Sequence, residues 1–184
     1  MITVTLKNLV TMRCYTQCQE FNTLMSYMGT YWDTLDDTEI SLAEIARLTS
    51  IDYAIDCIEA TPEHHKMWRK FGLWCVEPVA FLISIPSCRI AYETSIKFIN
   101  DEVSFDELKK KQYLAACEHT SHTEENYDGI NFSADQMAVN FAEANFYDCV
   151  YSCYNHYAEA MKILGYSFDS AKNKINKKFL EVIS

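Results

Sequence analysis

Apolar residues recur at three- and four-residue intervals along most of this chain, the spacing that lines one face of an α-helix. Leu6, Leu9, Val10, Cys14, Cys18, Phe21 and Met25 share such a stripe and predict one or two helices between Leu6 and Met28. The start differs: Ile2 to Leu6 alternates and is partly β-branched, which suits a short strand or an extended lead-in. Gly29 to Ile40 breaks the helical period and reads as a polar link. Ser41-Leu42-Ala43-Glu44 has the form of a capping box, in which the hydroxyl takes a free amide of the first turn and the Glu reaches back. A short helix to about Leu48 should follow. Ser50 or Asp52 can cap the next one, with Ile51, Ala54, Ile55 and Ile58 on one face.

Thr61-Pro62-Glu63 reads as a further helix start, with Thr as cap and Pro where its missing N–H costs nothing. The helix that follows carries Met67, Trp68, Phe71, Trp74, Cys75, Val79 and Leu82 and is the most apolar in the chain. Pro78 within it predicts a kink or break, and Pro86 its end. Ser87 is placed to cap a helix through about Ile99, with Cys88, Ala91, Tyr92, Ser95 and Ile99 inward. Ser104-Phe105-Asp106-Glu107 and Ser133-Ala134-Asp135-Gln136 are two more capping boxes. The first opens a helix with Phe105, Leu108 and Ala115 inward; the second opens a long one to about Leu164, stopped by Gly165. Between them His119 to Phe132 is polar and reads as a mobile loop. Ser167 to Ile183 is a last helix burying Phe168, Ala171, Ile175, Phe179 and Val182. The expectation is an all-α fold, an irregular orthogonal helical bundle of seven or eight helices, in one helical domain over residues 1–184.

Composition supports that class. Apolar residues make up 49 % of the 184, enough for one sizeable core, and the scarcity of turn formers, 4 Gly and 3 Pro, disfavours an all-β sandwich. The eight Cys sit mostly inside apolar helical patterns. Met1-Ile2-Thr3-Val4-Thr5-Leu6-Lys7 lacks the basic segment and apolar run of a secretory signal, and no stretch approaches the roughly 20 apolar residues of a membrane span. A cytoplasmic protein with reduced thiols is therefore expected.

Charge changes the functional picture. Acidic residues outnumber basic ones 26 to 16, a net charge of −10. Direct nucleic-acid binding needs a basic footprint and is disfavoured, as are anionic membrane surfaces. Thr30 to Glu63 holds nine acids and one base, and Gln112 to Asp148 seven acids and no Lys or Arg. Bases gather instead at Lys66, Arg69 and Lys70, at Lys109 to Lys111, and at Lys172 to Lys178. Two acidic blocks can be ordinary solvated faces, or carboxylates spaced like phosphates that meet a basic protein. On the second reading the contacts are Asp33, Asp36, Asp37, Glu39, Glu124, Glu125 and Asp128. A homodimer stays open.

Metal and catalytic chemistry were sought in the same way. Cys149, Cys153 and His156 stand at i, i+4 and i+7 of the long helix, on one face and of ligand type for Zn²⁺, with the Cys14/Cys18 pair able to complete a site. The competing explanation is a core stripe, because Ala138, Phe141, Ala142, Ala160 and Leu164 share that face. Cys117, His119 and His122 form a looser cluster at a helix end. No phosphate loop, GxGxxG, GxSxG, HExxH, Glu-x-x-His or His-Asp motif is present, so no catalytic residue and no cofactor is assigned.

One resemblance adds to this. The segment Ile51 to Leu108 contains Glu63-His64-x4-Arg69-x-Phe71-x2-Trp74-Cys75-Val76-Glu77, then Pro86-x2-Arg89-x-Ala91-Tyr92-Glu93, Phe98-Ile99 and Glu102-Val103-Ser104-x2-Glu107-Leu108. It resembles a helical family described as immunity proteins of phage and other mobile elements, over about a third of the chain. The resemblance implies protein-on-protein inhibition or protection and carries no catalytic residues. The expectation is a non-enzymatic, phage-encoded binding protein that blocks a host defence nuclease, such as a CRISPR effector or restriction enzyme. A toxin-neutralising immunity protein and a metal-binding helical enzyme are the alternatives.

Overall fold

Helix grammar sets most element ends in the computed structural model, which describes residues 1–11, 19–31, 34–35, 37–123, 129–143 and 145–184, with only the backbone of 122–123 and 129–133. Strand β1 (Thr3–Thr5) runs into α1 (Leu6–Thr11), and α2 spans Gln19–Met28. Strand β2 (Glu39–Ser41) leads into α3 (Leu42–Leu48) and α4 (Ile51–Asp56). Then come 3-10 turns at Cys57–Ala60 and Pro62–His64, α5 (His65–Val76), and a 3-10 segment at Glu77–Leu82. Helices α6 (Pro86–Ile99), α7 (Phe105–Thr123), α8 (Gly129–Phe141), α9 (Phe146–Lys162) and α10 (Phe168–Ile183) complete the chain. The protein is all-α: helix accounts for 79 % of the described residues.

Contacts gather the chain into two compact units, Met1–His64 with Lys178–Ser184, and His65–Lys177. In the first, β1 and β2 pair antiparallel with Val4 opposite Ile40. The alternation at the start of the chain thus is a strand: Ile2, Val4 and Leu6 are buried while Thr3 and Thr5 stand partly open. Glu39, expected in a polar link, belongs to the partner strand. Leu9, Phe21, Leu24, Leu42, Ile45, Ile55 and Ile58 complete this core. In the second unit α5 packs on α9, α8 on α9, and α6 on α7 and α8, around Trp68, Phe71, Phe141 and Tyr157.

The caps at Ser41, Ser50 and Ser104 form as the sequence implies: each hydroxyl accepts an amide three residues on, from Glu44, Tyr53 and Glu107 (3.1, 3.1 and 3.2 Å). Three helices end in one way, with a left-handed residue whose successor donates back five residues. Gly29, Asp101 and Gly165 have φ of 65°, 61° and 82°. The amides of Thr30, Glu102 and Tyr166 donate to the carbonyls of Met25, Lys97 and Met161. Asp101 accepts this conformation without being glycine, and its carboxylate meets the Lys66 ammonium.

Elsewhere the structure corrects the reading. The described residues hold ten α-helices, not seven or eight, and two of the long helices expected are broken. Pro78 breaks the central one, which becomes 3-10 after Val76. Asn145 breaks the other: its side-chain oxygen accepts the Tyr147 amide at 2.9 Å and starts α9 anew after Phe141. Thr61 stands just before the 3-10 turn Pro62–His64 that leads into α5, and its buried hydroxyl donates to the Ile58 carbonyl. Pro86 opens a helix instead of ending one, and the residue before α6 is Ile85, so Ser87 lies inside the first turn. Ser133 falls within α8, which begins at Gly129, so no helix starts at the third box. Helix α7 runs on to Thr123, leaving only 124–128 of the expected loop between helices, outside the described residues. Phe105, Leu164 and Phe168, all expected inward, are exposed, and Val182 is half-buried with Ile183 inward in its place.

Candidate functional site

Chemistry-bearing side chains gather in three places, the first of them where α5, α8 and α9 meet. Gly72 lets the helices close: a Cβ there would stand 3.2 Å from Cys149 Sγ and 3.4 Å from Phe141 Cδ2. Cys75 of α5 and Cys149 and Cys153 of α9 are buried around this contact. Cys149 Sγ faces the Phe141 carbonyl at 3.4 Å. Burial pushes the Cys75 thiol well above its ordinary pKa, helped by Cys149. Burial does the same at Cys153, with Cys149 adding a hydrogen bond and charge. These two sulfurs stay protonated at neutral pH and are poor nucleophiles.

Arg69 sits beside them with 2 % of its surface exposed. The sequence placed it in a basic cluster with Lys66 and Lys70; the structure turns it inward. Its Nη1 donates to the Glu143 carbonyl at 2.9 Å, just past the C-terminus of α8, where helix carbonyls favour a cation. Its guanidinium lies 5.1 Å from the Phe98 ring centroid. Burial lowers its pKa, and Cys149, Cys153 and Glu143 oppose that shift. The signal existed in the sequence: Arg69 shares a stripe with Gly72 and Val76 at i, i+3 and i+7, overlooked because the residue is charged.

The second place is Asp135, fully buried on α8. Its Oδ1 accepts the amides of Ser84 and Ile85 at 2.9 and 3.1 Å, and its Oδ2 accepts the Ser84 hydroxyl at 2.7 Å. The carboxylate thus takes the donors that lead into α6, the job assigned by sequence to Ser87. No local signal could reveal a cap fifty residues away. Cys88, in the first turn of α6, is pushed up to about 12 by burial and then by the Asp135 charge.

The third place is the surface of the first unit. Arg47 forks onto Glu44, Nε to Oε2 at 2.9 Å and Nη2 to Oε1 at 2.5 Å. The hydrogen bonds from Arg47 and Tyr27 hold the Glu44 carboxyl down at about 2. The same carboxylate raises the Tyr27 phenol. This trio joins α2 to α3 and presents Tyr27, 56 % exposed, among acids; Tyr31, 77 % exposed, follows it past the end of α2. Asp37 and Glu39 are exposed nearby in sequence, Asp37 meeting Lys7 at 3.3 Å and Glu39 accepting from Thr3 at 2.9 Å.

Of the expected contacts, only Asp37 and Glu39 can therefore be placed, both on the surface of this unit; Asp33, Asp36, Glu124, Glu125 and Asp128 lie outside the described residues. The Cys149, Cys153 and His156 set is not brought together as a ligand group. The two thiols face the core, while His156 is half-buried with Nδ1 2.9 Å from the Ser152 carbonyl of its own helix. Cys14 and Cys18 lie outside the described residues. Cys117 is exposed and His119 buried, two residues apart and on different faces of α7; the His122 side chain is not among those described. Among the described residues no three His, Cys, Asp or Glu side chains converge as metal ligands, and no helix is long and apolar enough to cross a membrane. Comparison with protein-family models, with curated proteins and with solved structures finds no match to this chain.

Proposed function

We propose that this is an acidic, non-enzymatic binding protein, phage-encoded, that inhibits a host defence nuclease by occupying its basic nucleic-acid-binding surface. The observation that carries this reading is the surface of the first unit, whose exposed residues include Tyr27, Tyr31, Asp37 and Glu39. Tyr31, Asp37 and Glu39 lie in the segment Thr30 to Glu63, which bears nine acids and one base, and Tyr27 lies in the last turn of α2 before it. Carboxylates supply long-range attraction to a basic groove and fast association. Tyrosines supply contact area at low entropic cost once the charges have docked. The Arg47–Glu44–Tyr27 network holds one of these rings in place before binding.

Affinity capture of the tagged protein from a host lysate with active defence systems tests the reading. A nuclease or CRISPR subunit should be retained stoichiometrically, be released as salt rises, and be lost when Asp33, Asp36, Asp37 and Glu39 are changed together to Lys. Retention that ignores both salt and charge reversal refutes it. The resemblance to immunity proteins favours a toxin as the blocked partner on the same surface; rescue of growth on co-expression with a cognate toxin would identify that case.

A further inference from the structure

Three lysines of this acidic chain lie over aromatic rings along α9 and α10 of the second unit, two of them on rings of the turn between these helices. Lys162 Nζ lies 5.6 Å from the Phe168 ring centroid, Lys174 Nζ 5.1 Å from Tyr166, and Lys172 Nζ 4.0 Å from Tyr154. The Gly165 helix end turns the chain so that Leu164, Tyr166 and Phe168 stand out, 38, 39 and 45 % exposed. Tyr154 is fixed from below by a 2.7 Å hydrogen bond to Asn176. Residues 162–177 hold four lysines and one aspartate, and Glu159 takes up Lys162. An apolar tip ringed by like charges is costly to leave in water and is relieved by an anionic surface.

We infer that this patch docks on the acidic segment 37–63 of a second copy of the chain. The charge complementarity is internal: each molecule carries four lysines against one acid in one segment and seven acids against one base in the other. Every copy therefore presents the counter-surface at its own concentration. The exposed Tyr27 and Tyr31 of the acidic unit give the tip an apolar partner. The patch is poorly matched to single-stranded nucleic acid. Its ring faces are taken by ammonium groups and it contains no arginine, so stacking and bidentate phosphate contacts are both missing. The contact can be made twice in a two-fold dimer or repeated head to tail.

Sedimentation of the full chain tests this, at about 50 and about 500 mM salt, where the screening length falls roughly threefold. Two variants at exposed positions accompany it, Lys174→Glu/Lys177→Glu and Asp37→Lys/Glu39→Lys/Asp52→Lys, each checked for an unchanged circular dichroism spectrum. The natural chain should associate at low salt and separate at high salt. Each variant alone should weaken association by roughly tenfold or more. An equimolar mixture should recover it, because one variant keeps the acidic surface and the other the basic one. Phe168→Ser, which removes an exposed ring and no charge, should also weaken it. A chain that stays monomeric at low salt, or variants that associate as well as the natural chain, overturns the inference. So does a mixture that fails to recover association. Co-sedimentation of a monomeric chain with phosphatidylserine vesicles, lost in Lys174→Glu/Lys177→Glu, would overturn it too and assign the patch to an anionic membrane.

Discussion

Removing the Asp135 carboxylate should detach the entry of α6 from α8. Asp135→Ala deletes three hydrogen bonds, to the Ser84 and Ile85 amides and to the Ser84 hydroxyl. Hydrogen bonds to a charged group are worth about 1.5–3 kcal/mol each, but the full sum is not lost. Ser84 is exposed, and water can reach its amide and hydroxyl once the carboxylate has gone. Ile85 is 3 % exposed, so its amide is left buried without its acceptor. One unrecovered buried donor, a small cavity and the lost interaction with the helix entry together imply a cost of about 3 kcal/mol. Asp135→Asn separates charge from shape. Its oxygen can still accept both amides, and its NH₂ can donate to the Ser84 oxygen, so only the charge is lost and about 1 kcal/mol is expected. Ser84→Ala should cost about 1 kcal/mol or less. Urea unfolding at neutral pH, followed by far-ultraviolet circular dichroism and by the fluorescence of Trp68 and Trp74 in the same unit, measures all three. If Asp135→Ala costs under about 1 kcal/mol, or if Asn is as damaging as Ala, the carboxylate is not the cap described here.

Two further outcomes follow from the thiols and from Glu44. Maleimide labelling of the native protein near pH 8 with mass spectrometry should modify exposed Cys117 quickly. Cys75, Cys88 and Cys153 should be spared until denaturant is added, since burial raises their pKa and blocks access; native labelling of Cys75 or Cys153 at the Cys117 rate contradicts the closed α5–α9 contact. The Glu44 carboxyl, held at about 2 against an ordinary 4.5, is depressed in the folded state. Its contribution to stability is therefore present above about pH 4.5 and lost as pH falls toward 2. Carbon-13 titration should show Glu44 ionised below the other glutamates, and Arg47→Gln should move it upward. A midpoint in the ordinary range in the natural chain removes the Arg47–Glu44–Tyr27 network from the argument.

Local rules carried the reading furthest where one residue and its near neighbours decide the outcome. The serine caps at 41, 50 and 104, the glycine stop at 165, the break at Pro78 and the β-branched lead-in are contests settled within a turn of chain. Charge blocks are equally legible, because a net charge is a sum over residues. The Cys149 and Cys153 stripe was visible as well, with two explanations that spacing alone could not separate; the structure buries both thiols, Cys149 against Gly72 and Phe141.

What only the tertiary structure decided concerns partners distant in sequence. Arg69 is polar by type yet buried, because the Glu143 carbonyl and the Phe98 ring come to it from other helices. Asp135 looked like part of a local capping box and instead caps a helix half a hundred residues earlier. Phe168, Leu164 and Phe105 fit apolar stripes but stand at helix ends, where neighbours cover them only in part. Sequence by itself determined an acidic all-α chain and the start of several of its helices, since helix formation depends on neighbours within four residues. Which charges are buried, which rings face water and which lysines meet aromatic faces were settled by helix packing, whose partners lie tens of residues away and leave no periodic trace.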